Sequence, residues 1–179
     1  MSSTLERFDR AAAGFRLRLA ALQPSDAARP SPCEAWSIQE LVDHTVGVVA
    51  MVANLVAAPI ADANAGHDVR RFDAAAEDLH RKVADPELGA TVVQSPFGSM
   101  ALKQLVSSIV VHDLLVHTWD LARATGGDER LDAELVAHTY ASMTPFDEVL
   151  REHGFAKKVP VDDAADDQTK LLCFLGRRP

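Results

Sequence analysis

From Met100 to Thr125 the chain runs without a proline or glycine, and its apolar residues recur at spacings of three and four. That spacing puts them on one side of an α-helix turning ~100° per residue. The stretch therefore commits the chain to a long apolar helix that other elements must cover. With Leu102, Val106, Ile109 and Val110 as the inward stripe, the same stripe continues through Asp113, His117 and Asp120. A carboxylate or an imidazole facing a core is costly to bury unless something pairs with it. A divalent metal ion is the partner that suits both groups at once. Gly126-Gly127 then supplies a strong C-terminal stop.

The rest of the chain supplies the covering elements. Leu5, Phe8, Ala12, Phe15, Leu19 and Leu22 predict an amphipathic helix over Ser3 to Leu22, with Arg7, Arg10, Arg16 and Arg18 turned to solvent. The segment Gln23 to Trp36, with Pro24, Pro30 and Pro32, reads as a connection. Ser37-Ile38-Gln39-Glu40 is a capping box, and it opens a second helix from about Ile38 to Ala57. Its core stripe is Leu41, Thr45, Val48, Val52 and Leu55, with His44 beside it and Met51 on the same face. Pro59 and the polar run Asp62 to Asp68 end it. A third helix is expected from Val69 to Ala84, with Phe72, Ala76, Leu79 and Val83 on one side and Asp85-Pro86 as its stop. Thr91-Val92-Val93-Gln94 suits a short extended piece, and Ser99 an N-cap for the helix that starts near Met100. Shorter helices follow: Ala133 to Met143 with Leu135, Tyr140 and Met143 inward, a continuation past Pro145 to Leu150, and a last one ending at Leu175 before Gly176. The acidic run Asp162, Asp163, Asp166 and Asp167 suits the N-terminal side of that last helix, and Gly154 to Val161 is irregular. The expected fold is all-α, a four-helix bundle with extra short C-terminal helices in a single domain over 1–179. Sites in such bundles are built from side chains on facing helices.

Composition narrows the function. A hydrophobic share of 47% and a charged share of 25% suit a soluble globular chain. A formal net charge of -8 argues against nucleic acid and anionic membrane as partners. No membrane span is expected, since no apolar run approaches ~18–20 residues; the longest candidate, Val46 to Ile60, is interrupted by Asn54 and ends near Pro59. Two cysteines, Cys33 and Cys173, make no disulfide framework, and Met1 to Arg7 lacks the pattern of a signal peptide. The expected location is the cytoplasm. No Gly-rich phosphate loop, paired-Cys zinc motif or Gly-x-Ser-x-Gly elbow occurs, so phosphoryl transfer and serine hydrolysis have no support.

The candidate site is His44 with Asp113 and His117. Two imidazoles and a carboxylate suit a first-row divalent ion, and three protein ligands leave positions open for water or substrate. The competing reading makes Asp113 and His117 a local helix pair and His44 a half-buried core residue. His112 lies ~100° round the helix from Asp113 and is set aside. Asp120 suits an orienting carboxylate for a ligand histidine, but an ordinary helix pair with Arg123 is the favoured reading. Trp119 reads as packing, and Cys173 as core. Cys33 near a helix start has the position of an activated nucleophile. No histidine adjoins it in sequence, which favours a structural role. His67, His80, His138 and His153 show no ligand spacing.

Pro32-Cys33-Glu34-Ala35-Trp36-Ser37 followed by Leu41-Val42-Asp43-His44 resembles the entry to the second helix in the DinB-like superfamily. The run Asp113 to Gly126, with Asp113 and His117 four apart and then Trp119-Asp120-Leu121-Ala122, resembles the second signature of one branch. That branch is related to the N-terminal domain of mycothiol-dependent maleylpyruvate isomerase. The tail Leu175-Gly176-Arg177-Arg178-Pro179 is similar to the branch's usual ending. The resemblance implies an up-down-down-up four-helix bundle holding a zinc- or nickel-type ion, with a mycothiol-type thiol as cosubstrate. It places the metal ligands on His44, Asp113 and His117. The family's acidic ligand is a Glu where this chain has Asp113. The isomerase also carries a further C-terminal domain for which 179 residues leave no room, so the site type is expected to transfer and the isomerase reaction itself is not.

The resulting expectation is a metal-dependent, low-molecular-weight-thiol S-transferase or isomerase acting on a small electrophile. In it Asp120 orients and no general acid is assigned. The alternative is a non-catalytic stress-response module that binds a metal or small ligand. A third outcome is a bundle in which Asp113 and His117 only bond each other. The sequence leaves the ion, thiol, electrophile and oligomeric state open, a homodimer included.

Overall fold

The computed structural model describes residues 2–33, 36–58, 68–95, 98–152 and 156–179. Glu34, Ala35, Pro59, most of the polar run that follows it, His67, His153 and Gly154 lie outside the described residues. The helices gather into two compact units, residues 1–129 and 130–179.

In the first unit α1 spans Thr4–Ala21, closed at its start by a Ser3/Glu6 capping box. A short 3-10 turn, Pro24–Asp26, leads toward α2, Ile38–Ala53, which opens on the expected Ser37/Glu40 capping box. Then come α3 (Asp68–Ala84), a one-turn helix α4 (Pro86–Ala90) capped by Asp85, and a hairpin of β1 (Val92–Ser95) with β2 (Gly98–Ala101). Leu102–Thr125 is a continuous helix in three parts: α5 (Leu102–Leu105), one π turn (Val106–Val110) and α6 (Val111–Thr125). Gly126, at φ 74°, ends it in the left-handed conformation that glycine adopts freely.

Cross-helix pairs give the directions. Asp9 meets His80 at 2.7 Å and Arg16 meets Asp73 at 2.7 Å, so α1 and α3 are antiparallel. Gln39 with Asp68 at 3.2 Å and Lys82 with Ala53 at 3.1 Å make α2 and α3 parallel. Arg7 reaches Ser107 at 3.4 Å and Arg18 the Asp128 carbonyl at 2.8 Å, so α1 and α6 are parallel. Trp36 beside His117 and His44 beside Asp113 set α2 against α6 in opposite senses. The order is up-down-down-up, as the resemblance implies. Phe8, Phe15, Leu41, Val49, Phe72, Leu79, Leu114 and Trp119 are buried in this unit.

Several sequence expectations shift. α2 stops at Ala53 rather than Ala57, and Met51 and Leu55 are 58% and 42% exposed instead of inward. The buried set is Ile38, Leu41, Val42, Thr45, Val46, Val49, Val52 and Ala53. In α3 the buried face is Phe72, Ala75, Asp78, Leu79 and Lys82, one position off the expected Ala76 and Val83. α3 ends at Ala84 ahead of Asp85-Pro86, as expected, and Asp85 also caps a further turn; Ser99 lies in β2, so the N-cap of the long helix is Ala101. Arg7 and Arg18 are half-buried rather than fully in solvent. Leu102–Thr125 is by length and composition apolar enough to cross a membrane, which the sequence reading did not expect; most of it is buried inside the fold.

In the second unit α7 spans Ala133–Met143, as expected, and Asp132 caps it. A 3-10 turn, Thr144–Phe146, carries Pro145 into α8, Asp147–Glu152. The last helix, α9, is Asp167–Phe174, with Asp166 accepting from the Thr169 amide. Tyr140 meets Phe174 edge-on at 6.0 Å, and Arg151 lies over that ring at 5.1 Å while donating to the Phe174 carbonyl. Cys173 is buried, as expected of a core residue.

Candidate metal centre

Two local features aim the site. The capping box fixes where α2 begins, which sets His44 on the edge of its buried face. Ahead of α6 the helix widens: the Val111 amide donates to the Val106 carbonyl, five residues back, and Ser108 Oγ takes the Gln104 carbonyl at 2.8 Å. This turn advances the helix by an extra residue. Val110, Leu114 and Leu121 are fully buried, while Asp113 turns toward His44 of α2 with His117 beside it.

There the three expected residues meet. His44 Nε2 lies 3.2 Å from Asp113 Oδ1, and His117 Nε2 lies 3.4 Å from the same oxygen. One ligand atom from each lies within 4.8 Å of the others. The rings of His44 and His117 stand edge-on at 5.3 Å, and Trp36 packs on His44 at 4.7 Å. The shorter Asp113 thus reaches both imidazoles.

Burial opposes the Asp113 charge. Against it, the charge of His117 and hydrogen bonds from His117 and His44 hold this carboxyl well below the usual carboxylate range. Burial likewise opposes the His117 cation, and Asp113, with further bonds to Asp120 and Cys33, outweighs it and raises this imidazole well above its ordinary value.

The donor set fits a divalent ion. Donors held ~2.0–2.2 Å from a tetrahedral zinc stand roughly 3.3–3.6 Å apart, close to the 3.2 and 3.4 Å seen here. The second carboxylate oxygen, Asp113 Oδ2, is buried with no hydrogen-bond partner among the described residues. A buried acceptor left over is a cost that a cation removes.

Around this set the structure adds what the sequence reading left open or missed. Asp120, fully buried, accepts from His117 Nδ1 at 2.9 Å. Arg123 instead meets Glu129 at 3.1 Å and lies over the Trp119 ring at 5.0 Å. Asp120 sits one turn from His117, so the helical repeat does signal this contact. Cys33 was expected to be structural, yet its Sγ lies 3.3 Å from Asp120 Oδ2 and 3.9 Å from His117 Nδ1. Nothing in the sequence spacing signals that contact, because a loop delivers it. Trp119 is core and His112 is buried outside the cluster. His80 pairs with Asp9 at the surface, and His138 lies on α7.

Comparison with known proteins gives the family. The family model described as "Mycothiol maleylpyruvate isomerase N-terminal domain" matches residues 8–122. Two uncharacterized proteins of Mycobacterium tuberculosis, from strains CDC 1551 / Oshkosh and H37Rv, are each 31% identical over 172 residues, which covers 94% of this chain and 94% of theirs. No solved structure matches.

Proposed function

The chain belongs to the mycothiol maleylpyruvate isomerase N-terminal domain family, and from that premise we propose a divalent-metal-binding protein that joins or rearranges a small electrophile with a low-molecular-weight thiol of the mycothiol type. The observation that carries the reading is the convergence of His44, Asp113 and His117 from two antiparallel helices, one ligand atom of each within 4.8 Å of the others. A bound zinc- or nickel-type ion would supply a Lewis acid that favours the thiolate form of a thiol reaching it.

The chain's own residues do the rest. His44 and His117 offer ring nitrogens as donors, and Asp113 supplies the negative charge that offsets the cation in a half-buried site. Three donors, rather than four, leave room for a thiol. Trp36 covers His44 and gives that side of the site an apolar wall. The activity class is thiol S-transfer or isomerisation, with the thiol sulfur as attacking atom and an electrophilic carbon as its target.

The test combines metal content, thermal unfolding with added zinc or nickel, and a conjugation screen with small thiols and electrophiles. The expected result is an ion retained at one per chain, a raised melting temperature and product formation, all lost in His117→Ala. Stabilisation without turnover would make the protein a binding module. No metal-dependent rise in melting temperature would reduce Asp113 and His117 to a hydrogen-bonded pair.

A further inference from the structure

We propose that Cys33 and Asp120 are positioning residues: a hydrogen-bond chain from the Cys33 thiol to Asp120 to His117 Nδ1 that fixes the ring with Nε2 toward Asp113 and His44. The proposal rests on the functional reading above for its purpose, though not for its geometry.

Asp120 Oδ2 is the hub. It receives His117 Nδ1 at 2.9 Å and the Cys33 thiol at 3.3 Å, in a position where the Asp120 residue has 0% exposure. A buried carboxylate is tolerable only with donors around it, and an Nδ1–H is among the best available. With Nδ1 keeping its proton, loss of the other ring proton puts the free lone pair on Nε2, the atom that faces Asp113 Oδ1 at 3.4 Å. That is the tautomer a histidine needs to serve as a ligand through Nε2, and a carboxylate on the far nitrogen is the usual way to impose it.

The thiol's position is built as well. The Cys33 amide donates to Ser31 Oγ at 3.2 Å, the Trp36 amide donates to the Cys33 carbonyl at 3.1 Å, and the Ser31 amide donates to the Trp36 carbonyl at 2.8 Å. These bonds tie Cys33, which meets Asp120, to Trp36, which packs on His44. One loop ahead of α2 braces both histidines, His44 directly and His117 through the carboxylate.

Cys33, His117 Nδ1 and Asp120 are themselves within 4.8 Å and form a second donor set. An ion there would have to displace the Nδ1 proton and break the 2.9 Å bond. That competing outcome is decided by the same experiment.

The variants are Cys33→Ser, which keeps an O–H donor, Cys33→Val, which keeps the bulk alone, and Asp120→Asn. Two readouts are needed. In metal-free protein, NMR should show a slowly exchanging Nδ1-bound proton on His117 in wild type and Cys33→Ser. It should exchange faster in Cys33→Val and be lost in Asp120→Asn. In cobalt titrations, Asp120→Asn should weaken binding about 10–100-fold, Cys33→Val should weaken it measurably, and Cys33→Ser should restore it. The wild-type cobalt spectrum should lack a sulfur-to-metal charge-transfer band. Such a band, or a Cys33→Val indistinguishable from wild type in both readouts, would overturn the proposal. If cobalt and zinc do not bind while the Nδ1 proton behaves as stated, the functional reading fails and the positioning chain stands.

Discussion

Asp113 and His117 stabilise each other's charged form, and the sign of that effect fixes how the protein should respond to pH. His117 is raised above its ordinary 6.5 in the fold. Its contribution to stability is therefore fully present below 6.5 and is lost as pH rises through the higher folded value. Asp113 is lowered from 3.8, so its contribution is present above that value and is lost as pH falls through the folded one. Metal-free protein should thus lose stability on the alkaline side, as pH rises above 6.5 and through the higher folded value. Urea unfolding across that range should show the decline, and His117→Gln should flatten it. Zinc affinity should move the opposite way, rising with pH, because binding through Nε2 releases the proton that Asp113 holds there. An affinity independent of pH would remove His117 from the ligand set. The Asp113–His117 pair is legible because four residues make one helical turn, and His44 because it flanks the α2 stripe. Cys33 is not legible: its approach depends on three loop hydrogen bonds that leave no periodic trace.

Elements followed a similar divide. Ends set by local chemistry were readable, as at the Ser37/Glu40 box, at Gly126 and at Asp132 ahead of α7. Ends and registers set by distant groups were not. α2 ends at Ala53 where Lys82, buried on α3 at 2% exposure, donates to the carbonyls of Ala53, Ala57 and Ala58 at 3.0–3.2 Å. An ammonium on the orphan carbonyls of a helix end is a favourable arrangement, and Asp78 at 2.9 Å neutralises it. The π turn escaped in the same way, since the spacing of apolar residues does not distinguish it from an ordinary turn. Removing the cation alone should be costly. Lys82→Met is expected to destabilise by about 3–5 kcal/mol because it leaves Asp78 buried without its partner, and Lys82→Met with Asp78→Leu to recover much of that loss. Urea unfolding of the three proteins checks this. Equal losses in the single and double variants would show that the carbonyl contacts, not the ion pair, carry the effect.

At the scale of the whole molecule, residues 1–129 hold the family match and the candidate ligands His44, Asp113 and His117, while 130–179 form a compact unit of their own. A ligand slows hydrogen exchange only through openings that disrupt its site. Zinc on His44, Asp113 and His117 clamps α2 to α6, so any opening that parts those helices must first release the ion. At a zinc concentration ~100 times the dissociation constant, such openings become about a hundredfold rarer. Amides of α2 and α6 should therefore exchange markedly more slowly in loaded protein. Amides of α7 and α9 that open within their own unit leave the three ligands together, and their rates should hold. Mass-spectrometric exchange on peptides from both units, with and without zinc, separates the cases. Equal slowing across α7 and α9 would mean that 130–179 opens only together with the metal-bearing bundle, so that one cooperative transition governs the chain.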